Sequence, residues 1–162
     1  MENAKDTFYV TLRNRLAALN PNRVIILRGV QRPGILMEEA EAVVPQMPAD
    51  VFVVRWTGLE VDGQLPSALA QMMCEIHYTT GGTQTNGGLD RGRALEEMDG
   101  ELFSILSPNS AQKTNYTQRP AVAMETKVFW GEPQFSAMTT QRERLTRVTK
   151  VTVFAFQEQG EL

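Results

Sequence analysis

The sequence predicts an α+β fold in which two main helices pack on one face of a mixed, mainly antiparallel sheet. Two segments repeat apolar residues at the spacing of one helix face, two others alternate apolar with polar residues, and a long final segment is apolar on both faces. The chain has 162 residues. That length predicts a single domain over residues 1–162, which buries about 69% of its unfolded surface without a metal or disulfide.

The first elements are a helix and a strand. A helix is predicted from Thr7 to Leu19 with Asp6 as its cap, because apolar residues recur there at steps of three and four. Asn20-Pro21-Asn22 ends the helix. The segment from Arg23 to Val30 then contains four consecutive aliphatic residues, which is typical of a strand covered on both sides.

The next part of the chain contains one ambiguous segment and one strand. Glutamates and alanine favour a helix between Ile35 and Val44, whereas the position of this segment suits a hairpin arm. Val51 to Thr57 alternates as a half-buried strand does. Asp62-Gly63, within Leu59 to Pro66, indicates either a hairpin turn or a loop.

Leu69 to Tyr78 has the clearest alternation in the chain. One predicted face carries Ala70, Met72, Cys74, Ile76 and Tyr78, and the other carries Gln71, Glu75 and His77. A helix also fits the start of this segment, where Leu69, Met72, Met73 and Ile76 have a 3.6-residue period. Thr79 to Leu89 is rich in glycine and polar residues and predicts a flexible loop.

The second helix is predicted from an Asp90 cap to about Leu106, with Leu95, Met98, Leu102 and Ile105 on one stripe. A long polar connection then runs from Ser107 to about Glu125, followed by a strand at Lys127 to Trp130. The final strand, Arg144 to Phe156, has apolar residues on both faces. The helices could cover one face, so the other requires a second layer or another copy of the chain.

Composition excludes several classes of protein. The net charge is −3, which argues against sequence-specific nucleic-acid binding. Cys74 is the single cysteine, so no internal disulfide can form, and the start of the chain lacks a signal-peptide pattern. We therefore expect folding in a reducing cytoplasm. No apolar run is long enough to cross a membrane, and no membrane partner is expected.

The titratable residues do not form a recognisable catalytic pattern. His77 is the only histidine, and on a strand it projects to the face opposite Cys74, so the two cannot act together. Glu75 shares the face of His77 and could form an acid/base pair, but cross-strand polar pairing is the favoured interpretation. Zinc, calcium and phosphate-loop patterns are incomplete. The sequence predicts no enzyme, no catalytic residue, no cofactor and no metal site.

Two charged groups are candidates for contacts between subunits. An acidic stripe with a basic neighbour is predicted on the second helix, and a basic cluster on the final strand; each is also consistent with a solvated surface. The residues are Arg93, Glu97 and Glu101, and Arg142, Arg144, Arg147 and Lys150. We expect the acidic stripe to meet the basic cluster of an adjacent subunit, so that reversing the charge of both glutamates would weaken assembly.

The order of elements is an amphipathic N-terminal helix, a Val-Ile-Ile-Leu strand, a strand from Met72 to Tyr78, a polar loop, a helix from Asp90 to Leu106, a long loop and a last strand from Val148 to Phe156. This succession resembles the tail terminator and head-to-tail joining proteins of long-tailed bacteriophages, which are small α+β proteins of comparable length. The resemblance spans most of the chain and depends on element order and loop placement.

The resemblance implies a homo-oligomeric ring, typically a hexamer, that caps the tail tube and mediates head-tail joining. Its partners would be copies of itself, tail-tube proteins and head-connector proteins, and the protein would be a virion component assembled in the bacterial cytoplasm. Two loops would face the ring lumen or the tube. Their candidate contact residues are Thr83, Gln84, Thr85, Asn86, Lys113, Asn115, Tyr116 and Arg119.

Two alternatives remain open from the sequence. One is a small ligand-binding or enzymatic α+β domain with a pocket near Trp56, Tyr78 and His77. The other is a different phage structural part, such as a connector or tube subunit with the same fold.

Overall fold

The computed structural model describes residues 1–41 and 47–161 and confirms the α+β class. Its helices are α1 (Glu2–Leu19), the single turn α2 (Glu38–Glu41) and α3 (Arg91–Ile105). Its strands are β1 (Val24–Leu27), β2 (Val30–Pro33), β3 (Ile35–Met37), β4 (Phe52–Asp62), β5 (Leu69–Thr80), β6 (Ser110–Asn115), β7 (Val122–Trp130), β8 (Gln134–Phe135), β9 (Thr139–Gln141) and β10 (Arg144–Phe156).

The main sheet has the strand order β3-β4-β5-β10-β7-β6, and the short strands β8 and β9 also pair with β10. All of its pairings are antiparallel except the parallel pair β3 and β4. The mixed, mainly antiparallel sheet is therefore as predicted. Strands β1 and β2 form a separate antiparallel hairpin outside this sheet.

Both long helices contribute to one hydrophobic core against the same face of the sheet. Phe8, Leu12 and Leu16 of α1 are fully buried there, together with Leu102 of α3. Helix α1 begins at Glu2, so the prediction of a start at Thr7 with Asp6 as the cap was wrong. Residues 2–6 extend the helix because glutamate, alanine and lysine favour helices and because the side chain of Ala4 is buried.

The longest strand pairing joins β5 and β10 along twelve residue positions. The predicted alternation of β5 is confirmed: Ala70, Met72, Cys74, Ile76 and Tyr78 are buried, and the residues between them are more exposed. The helical alternative for its start was wrong, since Leu69 and Met73 are paired strand residues. The bounds of β10 agree with the prediction.

Several helices and strands begin or end at residues other than those predicted. The ambiguous segment begins as strand β3 and continues into the turn α2, and its last part, residues 42–44, lies outside the described residues. Strand β4 extends to Asp62, so residues 59–62 belong to a long hairpin with β5. Thr79 and Thr80 lie at the end of β5 and are buried, not in the predicted loop.

The predicted long polar loop from Ser107 to Glu125 was wrong, because it contains β6 and the start of β7, which pair with each other. Strand β6 has a mostly polar sequence, and it contains the buried charged residue Lys113. Lys113 of β6 points inward and its ammonium group lies 2.8 Å from a carboxylate oxygen of Glu161 and 3.9 Å from Glu158. A long charged side chain was thus accommodated in the core by acceptors from the C-terminal segment.

The four consecutive aliphatic residues form strand β1 as predicted, but the extension of this strand to Val30 and its cover on both sides were wrong. The segment turns at Arg28 and Gly29, which both have positive φ values of 50° and 79°, and returns as β2. This hairpin projects from the domain: Ile26 is 68% exposed and Val30 is 60% exposed. Four consecutive aliphatic residues here are arranged in a solvent-exposed hairpin.

The structure also bears on a membrane role. Within residues 1–41 and 47–161, none of the helices combines the length and the hydrophobicity that a bilayer crossing requires.

Candidate functional site

The face of the sheet opposite the helices is uncovered over β7 and the second half of β10, whereas Leu36 of β3 and Val53 of β4 are buried on the same face. Outward residues of β7 and β10 lie side by side there, since Phe154 pairs in register with Phe129. Phe129 is 44% exposed and Phe156 is 37% exposed. This face therefore presents aromatic surface to solvent, as the apolar pattern on both faces of β10 predicted.

Charged residues occupy the neighbouring positions of the same face. The ring nitrogen Nε2 of His77 lies 2.8 Å from a carboxylate oxygen of Glu75 two residues earlier on β5. Lys150 of β10 is in register with Glu75. Cys74 lies on the opposite, buried face, where burial raises the pKa of its thiol. The cysteine and the histidine are therefore separated by the sheet, as predicted, and cannot form a nucleophile–base pair.

Tyr78 and His77 do not share a pocket, and Trp56 lines a separate recess with Leu59 and Met72. Tyr78 is fully buried on the helix side, where its hydroxyl donates a hydrogen bond to Asp99 and lies 3.2 Å from the hydroxyl of Thr149. His77 projects from the other face. His77 and Tyr78 are consecutive residues of β5 and point to opposite faces of the sheet, so they cannot line one cavity.

One residue of the acidic stripe on α3, Glu101, binds residues of the same chain. Glu101 accepts hydrogen bonds from the guanidinium of Arg23 and from the amide of Asn20 at 2.7 Å. Arg93 and Glu97 are exposed on the same helix. Glu101 therefore has partners from the segment after α1, and the contact of both glutamates with another subunit stays a prediction.

The predicted basic cluster of β10 does not form a continuous surface. The Nε atom of Arg147 lies 2.9 Å from a carboxylate oxygen of Asp99 on α3, so this side chain is on the helix side. Lys150 points to the uncovered face, because it is three residues further along a strand. Arg142 and Arg144 lie at and beside the turn before β10. The structure thus separates residues that the sequence placed together.

Arg142 and Arg144 instead meet the glycine-rich loop between β5 and α3. They line a cavity of about 440 Å³ with Arg91 and Thr83. Asp90 precedes α3 as predicted, but its carboxylate accepts a hydrogen bond of 2.9 Å from the backbone N–H of Thr83 and makes no bond to the helix. That bond lowers the pKa of Asp90. The loop is therefore tied to the helix start, and the cavity lining is rich in guanidinium groups.

The residues proposed for lumen or tube contacts have different environments. Thr83, Thr85 and Asn86 are exposed in the loop before α3, and the backbone of Gln84 begins a short 3₁₀ turn there. Tyr116 and Arg119 are exposed in the turn between β6 and β7, and Asn115 at the end of β6 is half-buried. Lys113 is fully buried, so the expectation that it lies in an exposed loop was wrong.

Two projecting features were not recognised from the sequence. We call residues 23–34, which contain β1 and β2, the basic ribbon, because they include arginines and no acidic residue. We call residues 57–66, the far end of the β4–β5 hairpin, the acidic tip, because they include Glu60 and Asp62 and no basic residue. The acidic tip is exposed throughout, and the basic ribbon is exposed at residues 24, 26 and 28–31. The sequence signal that could have found the two hairpins is the turn glycines, Gly29 and Gly63.

Comparison with protein-family models and with curated protein sequences found no match to this chain. Among the described residues, no three histidine, cysteine or carboxylate side chains come together in a way that could hold a metal ion. Function is therefore inferred from the surfaces described above.

Proposed function

We propose that this protein is a phage structural protein, a tail terminator-like subunit that assembles into a ring, caps the tail tube and mediates head-tail joining. The observation that supports this most directly is the distribution of apolar surface. The sheet has an uncovered aromatic face, and exposed aliphatic residues lie on two projections, including Ile26 on the basic ribbon and Leu59 on the acidic tip. Surfaces of this kind are typical of proteins that function through contacts with other chains.

The arrangement of these surfaces favours a ring over a symmetric dimer. A ring requires two different patches on each subunit, so that one patch of each copy contacts the other patch of the next. The basic ribbon and the acidic tip differ in charge and in position on the chain. The exposed loop residues Thr85 and Tyr116 would then be available for a lumen or a tube surface.

The test is the mass and shape of the particle in solution. Light scattering at several concentrations should give a mass of several copies, and negative-stain electron microscopy should show rings with a central channel. Rings added to cognate tail tubes should bind at tube ends. A protein that stays monomeric at every concentration and binds no tube end would overturn the proposal.

A second candidate is a small ligand-binding domain, and the cavity beside the glycine-rich loop is what favours it. Its three arginines, Arg91, Arg142 and Arg144, could bind a phosphate or carboxylate group. Asp50 and Glu143 line the same cavity and offset part of this positive charge. Titration with inorganic phosphate, followed by calorimetry, tests this candidate: heat that is lost in Arg142→Ala supports it.

A further inference from the structure

We propose that the basic ribbon of one subunit docks on the acidic tip of its neighbour, and that this contact joins the copies head to tail. This inference rests on the proposed ring and names its interface. It identifies a second copy of this chain as the partner of both projections.

The basic ribbon has the features of an element that needs a partner. An isolated two-stranded hairpin is marginally stable in water, and this one pairs with no other strand among the described residues. On its outer face Ile26 is 68% exposed, and Val24 on the same face is 36% exposed. Its base is held by the ion pair of Arg23 with Glu101 and by a hydrogen bond of 3.0 Å from Arg23 to the carbonyl of Asp50. Its second strand is held by an ion pair of Arg32 with Glu41 and by a hydrogen bond of 3.0 Å from Arg32 to the hydroxyl of Tyr9.

The acidic tip offers a matching apolar surface. Leu59 is 51% exposed and Val61 is 50% exposed, and both extend the helix-side face of the sheet beyond the helices. A recess of about 320 Å³ opens next to them, lined by Leu59, Trp56 and Met72 with Met1 and Lys5 at the start of α1. An aliphatic side chain from another copy can be buried there.

The charges of the two projections are complementary. In the basic ribbon, Arg23 is ion-paired with Glu101 and Arg32 with Glu41. Arg28, exposed at the turn, is therefore the charge that the ribbon offers to another copy. The acidic tip contains Glu60 and Asp62, and both are exposed. An approach of ribbon to tip therefore places opposite charges around an apolar centre, which favours this pairing over ribbon with ribbon or tip with tip.

Within one chain the two projections cannot meet. The ribbon base is fixed at the start of β4, where the N–H of Phe52 donates to the carbonyl of Gly34. Leu59 lies seven residues further along the same strand, roughly 23 Å away. A four-residue ribbon strand reaches only about 13 Å. The contact must therefore be made between copies, and a patch that meets a different patch builds a head-to-tail series.

Two single substitutions and their mixture test this interface. Ile26→Asp blocks the ribbon and Leu59→Asp blocks the tip, each at an exposed position where the fold does not need the side chain. Leu89→Asp is the matched control, because Leu89 is 93% exposed and lies outside both projections. Circular dichroism checks that each variant is folded, and sedimentation velocity measures the mass of each.

We expect each blocked variant to assemble at least tenfold more weakly than the wild type, and the Leu89→Asp protein to match the wild type. An equimolar mixture of the two blocked variants should form a dimer and stop there, because each mixed pair retains one intact ribbon and one intact tip. This complementation also shows that both variants are correctly folded.

The failures are distinguishable. Blocked variants that form wild-type rings, or a mixture that stays monomeric while the wild type assembles, would overturn the ribbon–tip contact and leave the proposed ring standing. A wild type that never assembles would overturn the ring and, with it, this interface.

Discussion

Arg23 and Glu101 form an ion pair between the base of the basic ribbon and the middle of α3, although they are 78 residues apart in sequence. Two nitrogens of the guanidinium donate to the two oxygens of the carboxylate, and both side chains are largely buried. Such a two-point contact fixes the orientation of the guanidinium relative to the carboxylate as well as the distance between them. It sets the position of the projection through which we propose that subunits join.

Glu101→Gln should loosen the basic ribbon without unfolding the domain. The substitution removes the charge that compensates the partly buried guanidinium of Arg23, so we expect a loss of about 2 kcal/mol in the free energy of unfolding. Backbone amides of residues 24–32 should exchange with deuterium faster. Glu97→Gln is the matched control on the exposed side of the same helix and should change stability by less than about 0.5 kcal/mol. Equal ribbon exchange in both variants would contradict this role.

Some elements could be predicted because the spacing of apolar residues along the segment itself indicates its secondary structure and its buried face. Alternation over β5 identified which side chains are buried, and the apolar stripe of α3 identified its core face. Both are periodic patterns that depend only on neighbouring residues. Strand β10 could be bounded for the same reason.

Other features depend on partners distant in the sequence. Lys113 was taken for a loop residue because lysine is rarely buried, and the acceptors that bury it, Glu158 and Glu161, are more than forty residues away. The ribbon was taken for a covered strand because its aliphatic run has no signal for exposure. The two faces of the proposed interface likewise lie on separate elements, so the sequence pattern indicated neither of them.

Tyr78→Phe should destabilise the contact between the sheet and α3. The substitution leaves the buried hydroxyl of Thr149 without its partner and removes one contact of the Asp99 carboxylate, which keeps its ion pair with Arg147. We expect this to cost about 1 to 3 kcal/mol in chemical denaturation. Tyr116→Phe, at an exposed turn, should be neutral. A Tyr78→Phe protein as stable as the wild type would show that this polar cluster contributes nothing net.

Tyr78 should also make the protein sensitive to alkali. Burial, followed by the hydrogen bond to Asp99, raises the pKa of its hydroxyl above the ordinary value of 10.0. The neutral form is thus favoured in the folded state, so its contribution is complete below about pH 10 and is lost as the pH rises through the folded-state pKa. The free energy of unfolding should fall less steeply above pH 10 in Tyr78→Phe than in the wild type.

Cys74 should be unreactive in the native protein. Its thiol is buried in the core, and burial raises its pKa, so the reactive thiolate is scarce at neutral pH. We expect a thiol reagent such as dithiobisnitrobenzoate to react only on the timescale of unfolding, and to react at once in guanidinium chloride. Rapid labelling of the native protein at pH 7 would contradict the buried position.

Glu161→Gln should lower the free energy of unfolding at neutral pH. It should also make this free energy change less as the pH is lowered into the acid range. Burial acts to raise the pKa of Glu161, but the hydrogen bond from Lys113 and the other contacts outweigh it, so the pKa lies below the ordinary value of 4.5. The carboxylate therefore stabilises the fold above about pH 4.5, and this contribution is lost as the pH falls through the folded-state pKa. Since the substitution leaves the buried ammonium of Lys113 short of its nearest acceptor charge, we expect a loss of about 3 kcal/mol at pH 7.

Urea unfolding measured from pH 7 to pH 3 checks both parts of this expectation. The free energies of the wild type and Glu161→Gln should differ most at neutral pH and converge as the wild-type carboxylate becomes protonated. Glu132→Gln, at an exposed position, is the matched control and should follow the wild type throughout. A constant difference between Glu161→Gln and the wild type across the whole range would mean that Glu161 stabilises the fold by packing alone, because only the charged interaction with Lys113 depends on protonation.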